Sequence, residues 1–125
     1  MNIAVAVCRE RLPDGLEWSV YFVNGLATDV EVTLERVGFE WGDRGHSTAP
    51  RQRTSVAAQA SARIWRVNDD DAELSMSLSV HVRTPAQQFR ATFELGKLYR
   101  YRNPAPLIHV GRSGWLRPPD HLVQL

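Results

Sequence analysis

Alternation of apolar and polar residues is the feature of this chain that most constrains its fold, and it is clearest in residues 74–83. The apolar positions there are Leu74, Met76, Leu78, Val80 and Val82, and the polar positions are Ser75, Ser77, Ser79, His81 and Arg83. Because successive side chains of a strand point to opposite faces, this pattern predicts a strand with one buried and one solvated face. After a turn at Pro85, the alternation resumes over residues 89–95, so the two segments predict an antiparallel hairpin.

Shorter stretches of the same kind predict further strands. Residues 3–8 are apolar at every position, so we expect this strand to be covered on both faces. A turn at Leu12–Gly15 leads to a second strand over residues 16–23. Between residues 30 and 41 the apolar phase shifts by one position, which predicts a β-bulge near Glu35–Arg36 or a strand that crosses between two sheets.

The rest of the chain is less regular. Residues 63–67 and 97–102 predict two more strands, the latter stopped by the prolines that follow it. Residues 42–55 have no periodicity, and we interpret them as a long mobile loop. Residues 111–125 predict a weakly structured tail with a helical turn after Pro118–Pro119.

The spacing of these segments indicates the fold class. About seven short strands, separated by turns every 8–12 residues and without a long amphipathic helix, are typical of an all-β sandwich or barrel. Our first choice is an immunoglobulin-like antiparallel β-sandwich, and the alternative is a small barrel of the oligonucleotide-binding type. We expect residues 1–106 to form the sandwich domain, and residues 107–125 to form a tail that packs on it or on a neighbouring chain.

Composition and charge exclude several classes of protein. A chain of 125 residues with 43% hydrophobic residues can bury one core, and it has no apolar run long enough for a membrane helix. The 15 basic and 14 acidic residues nearly cancel, whereas a nucleic-acid-binding protein usually has a larger basic excess. Cys8 is the single cysteine, so the chain can form neither an internal disulfide nor a cysteine zinc cage. With no signal-peptide pattern at the N-terminus, we expect a cytoplasmic protein without membrane contact.

One strand carries a resemblance. The segment Trp18-Ser19-Val20-Tyr21-Phe22-Val23-Asn24, followed by Val30-Glu31-Val32 and Gly38, resembles a group of small uncharacterised bacterial β-sandwich proteins. Some of these proteins carry a phenylalanyl-tRNA synthetase label, but this chain is too short for an adenylate-forming domain. The resemblance therefore implies a sandwich fold in a bacterial protein, and it implies no activity.

No arrangement of residues in the chain predicts catalysis or a cofactor. There is no Gly-x-Ser-x-Gly motif and no phosphate-binding glycine loop, and the four histidines lack metal-binding spacing. Cys8 lies in an apolar strand, where a cysteine is usually an inert core residue. Asp69, Asp70, Asp71 and Glu73 lack the glycine and the later glutamate of a calcium loop, so a solvated turn is favoured over a divalent-cation site. We expect a protein that is not an enzyme and has no cofactor or metal.

Two segments, residues 99–102 and the C-terminal tail, are candidates for contact with a partner. Tyr99, Arg100, Tyr101 and Arg102 interleave rings and charges, as in single-stranded nucleic-acid binders, although a strand would place rings and charges on opposite faces. The tail carries apolar residues that cannot form a core by themselves. The candidate interaction surface comprises Trp115, Leu116, Leu122, Val123, Leu125, Arg100 and Arg102.

These features lead to a hypothesis about function. We expect a non-enzymatic protein-interaction or adaptor domain with an unidentified protein partner, and a homodimer in which residues 107–125 contribute to the interface. The uncharged strand over residues 3–8 is expected to be the more adhesive sheet edge, if it lies at an edge. A weak single-stranded nucleic-acid-binding barrel is the alternative, and a metal- or carboxylate-assisted hydrolase ranks third.

Overall fold

A computed structural model describes residues 2–13 and 15–125. Within these ranges the chain forms eleven strands and no α-helix. The strands are β1 (Ile3–Leu12), β2 (Gly15–Asn24), β3 (Val30–Trp41), β4 (Arg44–Thr48), β5 (Gln52–Val56), β6 (Ala60–Asn68), β7 (Ser75–Arg83), β8 (Gln88–Lys97), β9 (Ala105–Leu107), β10 (Arg112–Arg117) and β11 (His121–Gln124). The turn predicted at Leu12–Gly15 contains Asp14, which lies outside the described residues.

The strands form two antiparallel sheets that pack against each other. The first sheet has the order β6-β2-β1-β10-β9, and the second has the order β11-β8-β7-β3-β4, with β5 also paired to β3. This arrangement confirms the predicted all-β sandwich rather than the barrel alternative. The described residues contain eleven strands instead of about seven, because several short edge strands lack the apolar alternation on which the prediction relied.

The main core lies between the two sheets. The hairpin predicted from alternation is confirmed, since Met76, Leu78, Val80 and Val82 of β7 are all at most 1% exposed. They pack with the inward residues of β8 and with Trp18, Val20 and Phe22 of β2, among others. Burial of these side chains is the main favourable contribution to folding.

The phase shift in β3 is a bulge, as predicted. The register between β3 and β7 shifts between Leu34 and Arg36. On its other side β3 pairs with two successive strands, because residues 30–34 face β5 and residues 37–41 face β4. The bulge lets Val37 and Phe39 continue to face the core after the shift.

The first sheet also has a covered outer face, which is the face that points away from the second sheet. A small apolar cluster lies there, under Leu107 and Val110, and its members are Ala4, Ala6, Cys8, Tyr21 and Val23. This arrangement explains why residues 3–8 are apolar at every position. β1 lies between β2 and β10 inside the sheet, so the condition on which we expected it to be an adhesive edge, a position at a sheet edge, is not met.

Residues 42–55 are not a loop, because they contain β4 and β5. All five residues of β4 are exposed, so this edge strand has no buried face and shows no periodicity. Backbone pairing with β3 holds it in place without an apolar face.

Residues 97–102 do not form a strand either. β8 ends at Lys97 and a 3-10 turn follows at Leu98–Arg100, after Gly96 with a φ of 69°. The side chain of Leu98 is fully buried, and this directs the chain into the end of the core. A second 3-10 turn, at Asp71–Glu73, follows β6.

The C-terminal residues belong to both sheets. Position 106, where we expected the sandwich domain to end, lies within β9. β10 joins the first sheet beside β1, and β11 joins the second sheet beside β8. The segment after Pro118–Pro119 is a strand and not the expected helical turn. Among the described residues, no helix has the length and the apolar character needed to cross a membrane.

Candidate functional site

The residues of the predicted interaction surface lie in separate places. Trp115 and Arg102 line a groove at one end of the sandwich, and Arg100 lies on the nearby 3-10 turn. Leu116 lies on the outer face of the first sheet. Leu122, Val123 and Leu125 lie on or beside β11, at the edge of the second sheet. The structure therefore divides the expected surface into an end groove and a sheet edge.

The end groove has a volume of about 600 Å³. It is bounded by β1, β2 and β10 of the first sheet and by the β6–β7 and β8–β9 connections, both of which run between the sheets. Its aromatic residues are Trp18, Tyr99, Tyr101 and Trp115. Trp18 is almost fully buried, whereas the side chain of Tyr99 is 41% exposed at the rim.

Trp18 is fixed in the floor of the groove by two charged residues. Its indole Nε1 donates a hydrogen bond to Asp69 Oδ1 at 3.0 Å, and Arg9 Nη2 donates to Asp69 Oδ2 at 3.0 Å. The Arg9 guanidinium also lies over the Trp18 ring, 5.4 Å from its centroid. These three side chains hold one another in place, because each contacts the other two.

Trp115, on β10, is also held in place by a hydrogen bond from its indole N–H. Its Nε1 donates a hydrogen bond to the carbonyl oxygen of Arg102 at 2.7 Å. The Trp115 ring lies 5.9 Å from the Trp18 ring and 5.4 Å from the Tyr101 ring, the latter edge to face. The rings therefore form a connected aromatic lining rather than isolated side chains.

The charged and amide residues of the groove divide into two walls. The β6–β7 wall presents the carboxylates of Asp70 and Glu73, which form no ion pair or side-chain hydrogen bond within residues 2–13 and 15–125. The β8–β9 wall presents Arg102 and Asn103. Arg102 Nη1 donates to the carbonyl oxygens of Tyr99 and Tyr101, which leaves its other nitrogens without a protein acceptor among the described residues.

The sheet edges differ in their chemistry. β4, β5 and β6 carry arginines, and β9 contains Pro106, features that discourage pairing with another strand. β11 has the sequence His-Leu-Val-Gln, without an acidic residue, lysine, arginine or proline. Val123 is 56% exposed and Leu125 is 55% exposed.

Both ends of β11 are anchored to β8. The backbone N–H of Glu94 donates to Asp120 Oδ2 at 2.6 Å, just before β11 begins. The backbone N–H of Leu125 donates to the carbonyl oxygen of Gln88 at 2.8 Å, just after β11 ends. The strand is thus held along its inner side, while its other side has no strand neighbour in the part of the chain that the structure describes.

A buried carboxylate forms a third polar feature, on the outer face of the first sheet. Glu10 accepts hydrogen bonds from Ser19 Oγ at 2.7 Å, from Tyr21 Oη at 2.8 Å and from Arg112 Nη1. Arg63 Nη1 lies 3.8 Å from the same carboxylate. Burial by itself raises the pKa of Glu10, but the hydrogen bonds from Ser19, Tyr21 and Arg112 outweigh it and lower the pKa.

Cys8 lies next to this network and is fully buried. Burial raises the pKa of its thiol to about 11, with a further contribution from the negative charge of Glu10. A thiol with this pKa is protonated at neutral pH and is a poor nucleophile.

Across the described ranges, no three His, Cys, Asp or Glu side chains lie close enough together to hold a metal ion.

Several groove residues were candidates from sequence, among them Tyr99, Arg102 and Trp115, but the pattern of the sequence did not indicate that they line one groove. Arg9, Trp18 and Asp69 are separated by up to 60 positions in the chain, and no local motif links them. In the sequence, Trp18 belongs to a predicted strand and to the segment that carries the resemblance, and Asp69 belongs to an acidic turn, so neither indicates a contact with the other. No protein-family model, no curated protein and no solved structure matches this chain.

Proposed function

We propose that this chain is a non-enzymatic protein-interaction domain that forms a homodimer through the edge of β11. The proposal depends on one observation, the contrast between β11 and the other sheet edges. Exposed edge strands pair readily with other strands unless charge, proline or irregularity prevents it. Arginines or a proline occur on the other edges, whereas β11 has none and carries exposed Leu122 and Val123.

A second copy of the same strand is a suitable partner. Antiparallel pairing of two β11 strands about a twofold axis brings together positions 121–124, which contain no aspartate, glutamate, lysine or arginine. No like charges face each other in that arrangement, and the second sheet would continue from one protomer into its partner. The anchoring of β11 by Asp120 and Leu125 favours pairing, since the edge is ordered before the partner arrives.

The length of β11 sets the expected strength of the dimer. A four-residue strand provides few interstrand hydrogen bonds and a small apolar contact. We therefore expect a dissociation constant on the order of 10 μM, which corresponds to roughly −7 kcal/mol. An interface of this strength allows exchange with other partners that present a strand.

Other features rank the remaining functions lower. Asp69, Asp70 and Glu73 line the groove opposite Tyr99 and Arg102, and their carboxylates would repel the phosphates of a single-stranded nucleic acid. The free thiol of Cys8 supports a cytoplasmic location, where thiols remain reduced. The strand Trp18–Asn24, through the resemblance described above, supports a bacterial source.

Sedimentation velocity over a concentration series tests the proposal. Val123→Lys places a charge on the β11 edge, and we expect it to give a monomer at concentrations where the parent chain is dimeric. Leu116→Lys is the matched control, because Leu116 is similarly exposed, at 53%, but lies on the outer face of the first sheet. We expect this control to dimerise normally.

Two results would contradict the proposal. One is a parent chain that stays monomeric at ~100 μM, well above the expected dissociation constant. The other is a dimer that Leu116→Lys abolishes and Val123→Lys does not, since the interface would then lie on the outer face of the first sheet.

A further inference from the structure

We propose that the end groove binds a neutral oligosaccharide. This inference concerns a different surface from the β11 edge and does not depend on dimerisation. It rests on two features of the groove: exposed aromatic surface at its rim, and walls that offer hydrogen-bond acceptors on one side and donors on the other.

The aromatic rings provide the apolar part of the recognition. Tyr99 is 41% exposed at the rim, and Trp115 is half-buried behind it. One face of a pyranose ring carries mainly C–H groups and packs flat against an aromatic ring. The Arg100 guanidinium lies over one face of Tyr99, 5.8 Å from the ring centroid, so the other face of Tyr99 and the exposed part of Trp115 suit the apolar face of a sugar.

The two walls provide the polar part. Asp70 and Glu73 offer carboxylate acceptors without a protein partner in the described ranges, and Arg102 and Asn103 offer donors on the opposite side. A hydroxyl group donates one hydrogen bond and accepts two, so a polyol can satisfy both walls at once. An anionic ligand would be repelled by the β6–β7 wall, and a cationic ligand would be repelled by Arg102.

The groove is organised before a ligand enters. Asp69 and Arg9 fix Trp18, and the carbonyl oxygen of Arg102 fixes Trp115, so the aromatic floor does not have to rearrange. Asn103 has a positive φ of 60°, the left-handed conformation that asparagine adopts more readily than most residues other than glycine. The volume of about 600 Å³ lies within the usual range of small-molecule sites.

The four tryptophans of the chain provide a direct readout. Trp18 and Trp115 lie in the groove, whereas Trp41 and Trp65 do not. Each indole N–H gives a separate signal in a ¹H–¹⁵N NMR spectrum. We would titrate the ¹⁵N-labelled chain with maltose, cellobiose, lactose and chitobiose, each up to ~30 mM, well above a weak dissociation constant of ~1 mM.

We expect at least one of the four disaccharides to shift the signals of Trp18 and Trp115 in a saturable way, and to leave those of Trp41 and Trp65 in place. Tyr99→Ala should weaken the affinity about tenfold through the loss of the stacked ring. Trp41→Ala is the matched control, because Trp41 is 44% exposed but lies at the end of β3, outside the groove. This variant should bind the disaccharide with unchanged affinity.

The walls are tested by a second pair of variants. Asp70→Asn combined with Glu73→Gln should weaken disaccharide binding, because charged acceptors make stronger hydrogen bonds than amides. Glu94→Gln removes one carboxylate outside the groove and should leave the affinity unchanged.

Three outcomes would overturn the proposal. The first is the absence of any saturable shift of Trp18 and Trp115 with all four disaccharides. The second is a shift that Tyr99→Ala and Trp41→Ala weaken equally. The third is an arginine-containing peptide or an oligothymidylate that shifts the two groove indoles when no disaccharide does, since the ligand would then be a cation or a nucleic acid.

Discussion

The guanidinium of Arg112 on β10 donates a hydrogen bond to the carboxylate of Glu10 on β1, 102 positions earlier in the chain. Glu10 is only 8% exposed, and Ser19 and Tyr21 donate to the same carboxylate. The Arg112 guanidinium also lies over the Tyr21 ring, 5.3 Å from its centroid. This network joins β10, near the C-terminus, to the hairpin of β1 and β2.

The Glu10 network predicts a dependence of stability on pH. The pKa of Glu10 is lower in the folded chain than its ordinary value, so its contribution is fully present above about pH 5. That contribution is lost as the pH falls through the lowered pKa. Glu10→Gln should reduce the free energy of unfolding by about 1–3 kcal/mol at pH 7 and by less at pH 3, which lies below the ordinary pKa of a glutamate. Urea unfolding at both pH values measures this difference.

Glu35 provides the control for this prediction. A hydrogen bond from Arg90 lowers the pKa of Glu35 as well, but this pair lies on the surface. Glu35→Gln should therefore change the free energy of unfolding by less than about 1 kcal/mol at pH 7. If the two variants lose the same stability at both pH values, the Glu10 network does not make the contribution we assign to it.

Gly114 is required where β10 passes Cys8. A Cβ atom at this position would lie 2.4 Å from the carbonyl oxygen of Val7 and 2.6 Å from Cys8 Sγ. Because a backbone atom cannot move aside easily, Gly114→Ala should lower the free energy of unfolding by more than about 2 kcal/mol. Ser113→Ala, at an exposed position of the same strand, should change it by less than about 0.5 kcal/mol. Thermal unfolding measures both variants. Equal stabilities would contradict the close approach of Gly114 to Val7 and Cys8.

Cys8 should react slowly with thiol reagents in the folded chain. Burial is the main cause that raises its pKa, to about 11, and it also blocks access of the reagent. We expect labelling by a chromogenic disulfide at pH 8 to be at least ~100-fold slower in the native chain than in denaturant, as expected for a buried thiol. Rapid native labelling would instead indicate a reactive thiol and would revive the possibility of thiol chemistry.

The two faces of β7 should respond differently to a new charge. Leu78 is fully buried between the sheets, so Leu78→Asp should cost more than about 3 kcal/mol. Ser77 lies on the opposite face, 3.4 Å from Arg36 Nη1, and Ser77→Asp should cost less than about 1 kcal/mol. Denaturant unfolding of both variants measures the difference, and similar losses would be incompatible with the alternation of β7.

Elements with one buried face were predictable from sequence. The hairpin of β7 and β8 and the bulge between Leu34 and Arg36 follow from the spacing of apolar residues, because burial selects every second position. β4, β9 and β11 could not be found in this way, since their side chains are mostly exposed and backbone pairing is the main contact that holds them.

The candidate sites show the same division. The exposed apolar residues Leu122, Val123 and Leu125 were identifiable, because such residues in an interrupted tail need a cover or a partner. The groove was not predictable, since Arg9, Trp18 and Asp69 come from three segments and meet only after both sheets have formed. The contacts of Asn24 were not predictable either, since its partners lie in other segments of the chain. Its buried side chain donates to the carbonyl oxygens of Thr28, Val56 and Ala57.

Hydrogen–deuterium exchange at two protein concentrations tests the pairing of β11 most directly. Between ~1 μM and ~200 μM, below and above the expected dissociation constant, those backbone amides of residues 121–124 that point away from β8 should exchange more slowly in the concentrated sample. The amides of β4 and β9 should exchange at the same rate in both samples. Unchanged exchange at β11, or protection that appears at β4 or β9 instead, would contradict the account.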